Sequence, residues 1–209
     1  MAIRDPKAAV GAPITRTLRA ADVIMPRETQ FRMNPPRRTR TSYRSISTSF
    51  PSGDARKIRV HFDLVQDEDG YPPASVETLW ATALGKGRFR IDNIPFFVCG
   101  VSCFDIVSGK KRADGAIWFE GLAEESGHST IRVKIARDSI DMRSMDARVE
   151  ELRADLRKLG CDSERSHIPG LFSIDIPPES PYQPVKEILE NGDNRGLWDY
   201  EEATLAHSR

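Results

Sequence analysis

Between Ser144 and Gly160 the apolar residues keep a helical period. Met145, Val149, Leu152, Leu156 and Leu159 recur at steps of four and three, which lines them along one stripe of a helix that Ser144 can cap and Gly160 can end. On either side the pattern alternates instead. Residues 130–136 set Ile131, Val133 and Ile135 against Arg132 and Lys134, and residues 161–166 and 171–176 read as two further strands. Pro184 suits the first turn of a second, short helix reaching Leu189 and stopped by Asn191-Gly192, after which residues 197–205 return as a strand. The order from Thr130 is β-α-β-β-α-β, the split βαβ pattern of a ferredoxin-like half.

Upstream, the chain is written almost entirely in strands. Ile58, Val60, Phe62 and Leu64 alternate with polar residues over 57–65. Asp67-Glu68-Asp69-Gly70 follows as a solvated acidic turn, without the twelve-residue spacing of a calcium loop. Residues 75–84 and 88–92 form a hairpin about Gly85-Lys86-Gly87, with Trp80 expected in the core. Asn93-Ile94-Pro95-Phe96-Phe97 is a loop crossing the end of a sheet, since Pro95 has no ladder donor. Residues 101–107 and 116–123 then make a second hairpin. The fold class is α+β: about six short strands closing as a small β-barrel or curled antiparallel sheet over 57–129, then the ferredoxin-like half over 130–206, the two forming one compact unit.

Residues 1–56 differ from the rest. They are rich in Pro, Arg and Ser, lack sustained apolar periodicity, and are expected to be a disordered basic tail. The formal net charge of zero hides this: residues 1–57 carry 12 Lys+Arg against 4 Asp+Glu, the remaining 152 carry 19 against 27. Such a tail could touch nucleic acid weakly and without sequence preference. No apolar run is long enough for a membrane span, and charges interrupt every candidate signal segment, so a cytoplasmic location is expected. Three cysteines without a CxxC pair argue for buried free thiols, with no metal and no cofactor expected.

The chemistry-bearing residues concentrate between Ile91 and Val133. Ser126 and His128, with Asp105 or Glu124 as orienting acid, offer the elements of a hydrolase, although no Gly-x-Ser-x-Gly elbow is present. Asn93, His128, Ser129 and Arg132 offer instead a small-ligand site for a phosphate or nucleotide. A third reading makes Ser126-Gly127-His128-Ser129 a tight turn whose polar groups satisfy local backbone, with Asn93 doing the same for the Pro95 loop.

The strings Asp92-Asn93-Ile94-Pro95-Phe96-Phe97, Ser102-x-x-Asp105-x-Val107, Ser126-Gly127-His128-Ser129-Thr130 before Arg132-Val133, and Trp198-x-Tyr200-x-Glu202-Ala203 resemble those of an uncharacterised bacterial family, domain of unknown function 4265. The resemblance covers residues 57–206 and implies no established activity. A chain that is acidic after residue 57, with Asp175 and Glu201-Glu202 on or beside strands and no strong catalytic spacing, is expected to be a non-enzymatic binding protein of immunity or antitoxin type. Its expected partner is a basic protein.

Overall fold

A computed structural model of the chain describes residues 56–136 and 141–207. The expected basic tail therefore lies outside the described residues. Strands β1 (Lys57–Asp63), β2 (Val76–Gly85), β3 (Arg88–Ile91), β4 (Ile106–Lys111) and β5 (Ile117–Glu124) close in that order into a barrel. Successive strands pair antiparallel, and β1 shuts the barrel by pairing in parallel with β5, Val60 opposite Ile117. Alternation decides what goes inside: Val60, Phe62, Leu79, Ala81, Phe89, Ile91 and Val107 form the barrel core. Trp80 falls out of phase with Leu79 and Ala81, so it is half-buried on the outer surface with the Arg59 guanidinium 4.8 Å from its ring, not in the core as expected.

The second half runs β6 (Ser129–Ile135), α1 (Met142–Lys158), β7 (Asp162–Arg165), β8 (Leu171–Ile176), α2 (Tyr182–Asn194) and β9 (Trp198–Thr204). Its four strands form an antiparallel sheet in the order β7-β8-β6-β9. One face carries Ile131, Val133, Ile135, Phe172, Ile174 and Ile176, which bury against Met145, Val149, Leu152 and Leu156 of α1 and Val185 and Leu189 of α2. The opposite face carries Thr130, Arg132, Lys134, Ser173 and Asp175, and these too are buried.

Four local expectations change. The residue capping α1 is Asp141, whose Oδ1 accepts from the Ser144 N–H at 2.9 Å; Ser144 sits one turn inside. Gly160 does follow the helix in the left-handed conformation, φ +85°. Residues 101–105 are loop, and the strand starts only at Ile106: Val101 and Cys103 are buried in phase with Val107 and so imitate strand periodicity without belonging to the ladder. The barrel has five strands, the sixth joining the other sheet.

Helix α2 also continues past Leu189, through Gly192, to Asn194. Gly192 is there for close approach: a Cβ on it would fall 1.8 Å from Cζ2 of Trp198, whose Nε1 donates to the Leu189 carbonyl at 3.0 Å and holds the ring in place. Gly192→Ala gains up to about 1 kcal/mol in helix propensity. Overpacking opposes it with about 1–3 kcal/mol or more, so a net loss of roughly 2 kcal/mol is expected in urea unfolding. A stabilised variant would place the indole elsewhere.

Candidate functional site

The loop from Asp92 to Asp105 lies between the barrel and the polar face of the sheet. Pro95 keeps this segment out of any ladder, so its backbone groups need other partners. Glu77 on β2 supplies them: its carboxylate accepts from the N–H groups of Phe96, Phe97 and Val98 at 2.6, 2.8 and 2.7 Å. Burial pushes the Glu77 carboxyl above its ordinary range, while the three N–H donors pull it back. Arg132 on β6 holds the same loop from the sheet side. Its Nη1 pairs with Glu201 of β9 at 3.1 Å, and its Nη2 donates to the Val98 carbonyl at 2.5 Å and to Cys99 Sγ at 3.5 Å.

A second cluster links the loop to the turn before β6. Asp105 accepts from the N–H groups of Ser102 and Ser126 at 2.7 and 2.6 Å. The Ser126 hydroxyl donates to the Cys103 carbonyl at 2.8 Å and accepts from the His128 backbone N–H at 3.2 Å. His128 turns its ring toward β8, where Nδ1 meets both oxygens of Asp175 at 2.9 Å. Phe104, with φ +66° and 44% exposed, sets its ring edge-on to the imidazole at 5.1 Å. A bulky residue in the left-handed region is held there by its surroundings.

The candidate residues thus divide. Asp105, Ser126 and His128 come together, with the Ser126 hydroxyl donating to the Cys103 carbonyl and the His128 ring turned to Asp175. Asn93 accepts from the Trp80 N–H at 2.8 Å, and its amide nitrogen is buried without a partner. Ser129 pairs with Ile176, a helix-face residue, and its hydroxyl meets His207 Nδ1 at 2.7 Å and the Ala206 N–H at 2.8 Å. Strand alternation puts Ser129 and Arg132 on opposite faces of β6, so the two do not share a site. Glu124 is ion-paired at the surface with Arg88. Asp175 and Glu201, expected on a partner-facing surface, are 4% and 6% exposed.

Sequence reasoning missed Glu77, Tyr71 and Cys99. Glu77 was detectable, since it shares the inward phase of Leu79 and Ala81. Tyr71 is buried with a hydroxyl that has no hydrogen-bond partner, and burial pushes it up to about 12. Cys103 and Cys161 are buried as expected; Cys99 is exposed. Glu164 on β7, accepting from the Ile94 N–H at 3.3 Å, is raised to about 7 by burial. Among the described residues no group of His, Cys, Asp and Glu is arranged to hold a metal ion, and no helix is long and apolar enough to cross a membrane.

On the far side of the sheet, α1, α2 and the start of β9 enclose an open groove of about 640 Å³. Leu159, Ile188, Leu197 and Pro184 contribute its apolar surface; Glu151, Asp155 and Glu187 stand on it against Arg148 and Arg195.

The sequence profile of a family described as "Domain of unknown function (DUF4265)" matches residues 77–200, more than half of the chain, and takes in both the Glu77 anchor and the Arg132–Glu201 neighbourhood up to Tyr200. The chain belongs to the DUF4265 family. A solved structure described as a hypothetical protein from Neisseria gonorrhoeae is similar to the DUF4265 chain, at 22% identity and a TM-score of 0.58, over 73% of this chain and 98% of that one. That likeness concerns the fold alone. No curated protein matches the DUF4265 chain.

Proposed function

We propose that this DUF4265 protein is a non-catalytic, cytoplasmic binding protein that engages a basic protein partner, in the manner of an immunity or antitoxin protein. The observation that carries this reading is the groove between α1 and α2, where an apolar floor meets more acids than bases. The engagement of the loop's polar side chains in holding backbone supports it from the other side. We read residues 57–129 and 130–206 as the two halves of one unit, the second ferredoxin-like, a reading supported by the strand order β7-β8-β6-β9 in a β-α-β-β-α-β chain. The test is titration of the labelled protein with a lysine- and arginine-rich amphipathic peptide, followed by NMR. Shifts should cluster on α1, α2 and Leu197, weaken as salt rises, and vanish in Glu151→Lys/Asp155→Lys/Glu187→Lys. Shifts scattered over the surface, or unchanged in the triple variant, overturn the reading.

A second reading, a small-ligand site or hydrolase at His128, is favoured by the strained, exposed Phe104 beside the His128–Asp175 pair. Inorganic phosphate shifting the Phe104 and His128 resonances, with the groove silent, would prefer it.

A further inference from the structure

We propose that Cys99 is a reactive thiol that takes hydroperoxides, its sulfur held by the Arg132 guanidinium, beside which lies the Tyr71 hydroxyl with no acceptor for its proton. Three observations meet here. Cys99 is exposed whereas Cys103 and Cys161 are buried. A guanidinium that is itself only 1% exposed donates to Sγ at 3.5 Å, the cationic partner that a thiolate takes. The Tyr71 hydroxyl is a buried donor with no acceptor, beside Arg132 and within electrostatic reach of Cys99. Leaving such a group unsatisfied costs about 1–3 kcal/mol, and an oxygen delivered onto the sulfur would supply the missing acceptor.

The resting thiol reaches the Phe97 carbonyl at 3.8 Å; Nη1 of Arg132 stays with Glu201, and Nη2 is shared between the Val98 carbonyl and the sulfur. In the reaction the S–H proton leaves and the sulfur lone pair attacks the terminal peroxide oxygen. The S–O bond forms as the O–O bond breaks, and the departing alkoxide or hydroxide takes up a proton as alcohol or water. Sulfur is oxidised by two electrons and the peroxide is reduced by two. The sulfenic oxygen then accepts from Tyr71 O–H and Arg132 N–H.

Treating the full chain with hydrogen peroxide, trapping with dimedone and mapping peptides by mass spectrometry tests this. The adduct should sit on Cys99 and spare Cys103 and Cys161, whose thiols burial pushes up, Cys161 to about 12. Its second-order rate should exceed that of glutathione at the same pH by about tenfold. Tyr71→Phe should slow it by roughly fivefold without lowering the melting temperature, since an unsatisfied group is what is removed. Arg132→Lys should slow it too; Tyr71→Phe keeps the test valid should that variant not fold. A rate equal to that of glutathione, an unchanged rate in Tyr71→Phe, or labelling that begins at the buried cysteines overturns the proposal.

Discussion

Arg132→Met should lower the stability of the fold by about 3–5 kcal/mol, the usual consequence of stranding one member of a buried ion pair. The reason is the position of Glu201, 6% exposed and 3.1 Å from Nη1, which would keep its charge in a place water cannot reach. The Val98 carbonyl would lose its 2.5 Å donor at the same time. Such a pair is weak evidence for stability as a pair, because desolvating both charges offsets most of their attraction. Arg132→Met with Glu201→Leu should therefore recover most of the loss, to within about 1–2 kcal/mol of wild type, the remainder being the orphaned carbonyl. Urea midpoints of the two single variants and the double variant decide it. Purely additive losses would mean that the pair is not coupled as its geometry implies.

Glu77→Ala should cost roughly 3–5 kcal/mol, since three buried N–H donors lose their acceptor and each is worth about 1–3 kcal/mol before water returns. Glu77→Gln is milder. Phe97 and Val98 donate to one oxygen, Oε2, and an amide oxygen can still accept both, whereas the amide nitrogen would face the Phe96 N–H. About 1–3 kcal/mol is expected for that one mismatch. The two variants should also differ from wild type in pH dependence. Burial raises the Glu77 carboxyl above its ordinary 4.5, so the folded state holds the proton more tightly than the unfolded chain. That share of stability is full below 4.5 and is lost as pH rises through the raised folded value. The gap between wild type and Glu77→Gln should narrow as pH climbs from 5 toward neutrality, measured as melting temperatures in one buffer series. A gap that widens would show that the three N–H donors outweigh burial.

The two anchors also explain how much of this molecule a reader of the sequence can recover. Helix α1 was legible because its stripe is local: Met145 to Leu159 repeat within a few turns, and helix formation depends on neighbours at i+3 and i+4. The barrel strands were legible for the same reason at period two, although the pattern could not tell a closed barrel from a curled sheet. Closure depends on β1 meeting β5, some sixty residues later in the chain. Local pattern misled where burial came without pairing. Val101 and Cys103 keep the phase of Val107 like a strand but belong to a loop, Val101 filling the barrel core from it, and Gly192 looks like a stop signal but is a seat for Trp198.

The chemistry near the loop divides along the same line. From the residues alone, the stretch between Ile91 and Val133 stands out as polar groups set among apolar runs, and Pro95 marks a segment that cannot pair. Which of those groups meet was decided by tertiary structure. Glu77 finds its donors 19 to 21 residues away, His128 its carboxylate 47 away, Arg132 its partner 69 away. Local sequence thus determined the helices, the strands and the place where the chain leaves its ladders, because those depend on backbone geometry and side-chain period. Only the packing of sheet against barrel decided that Arg132 is buried, that Ser126 bonds backbone and that Cys99 stays open, because desolvation and hydrogen-bond pairing are properties of the assembled surfaces.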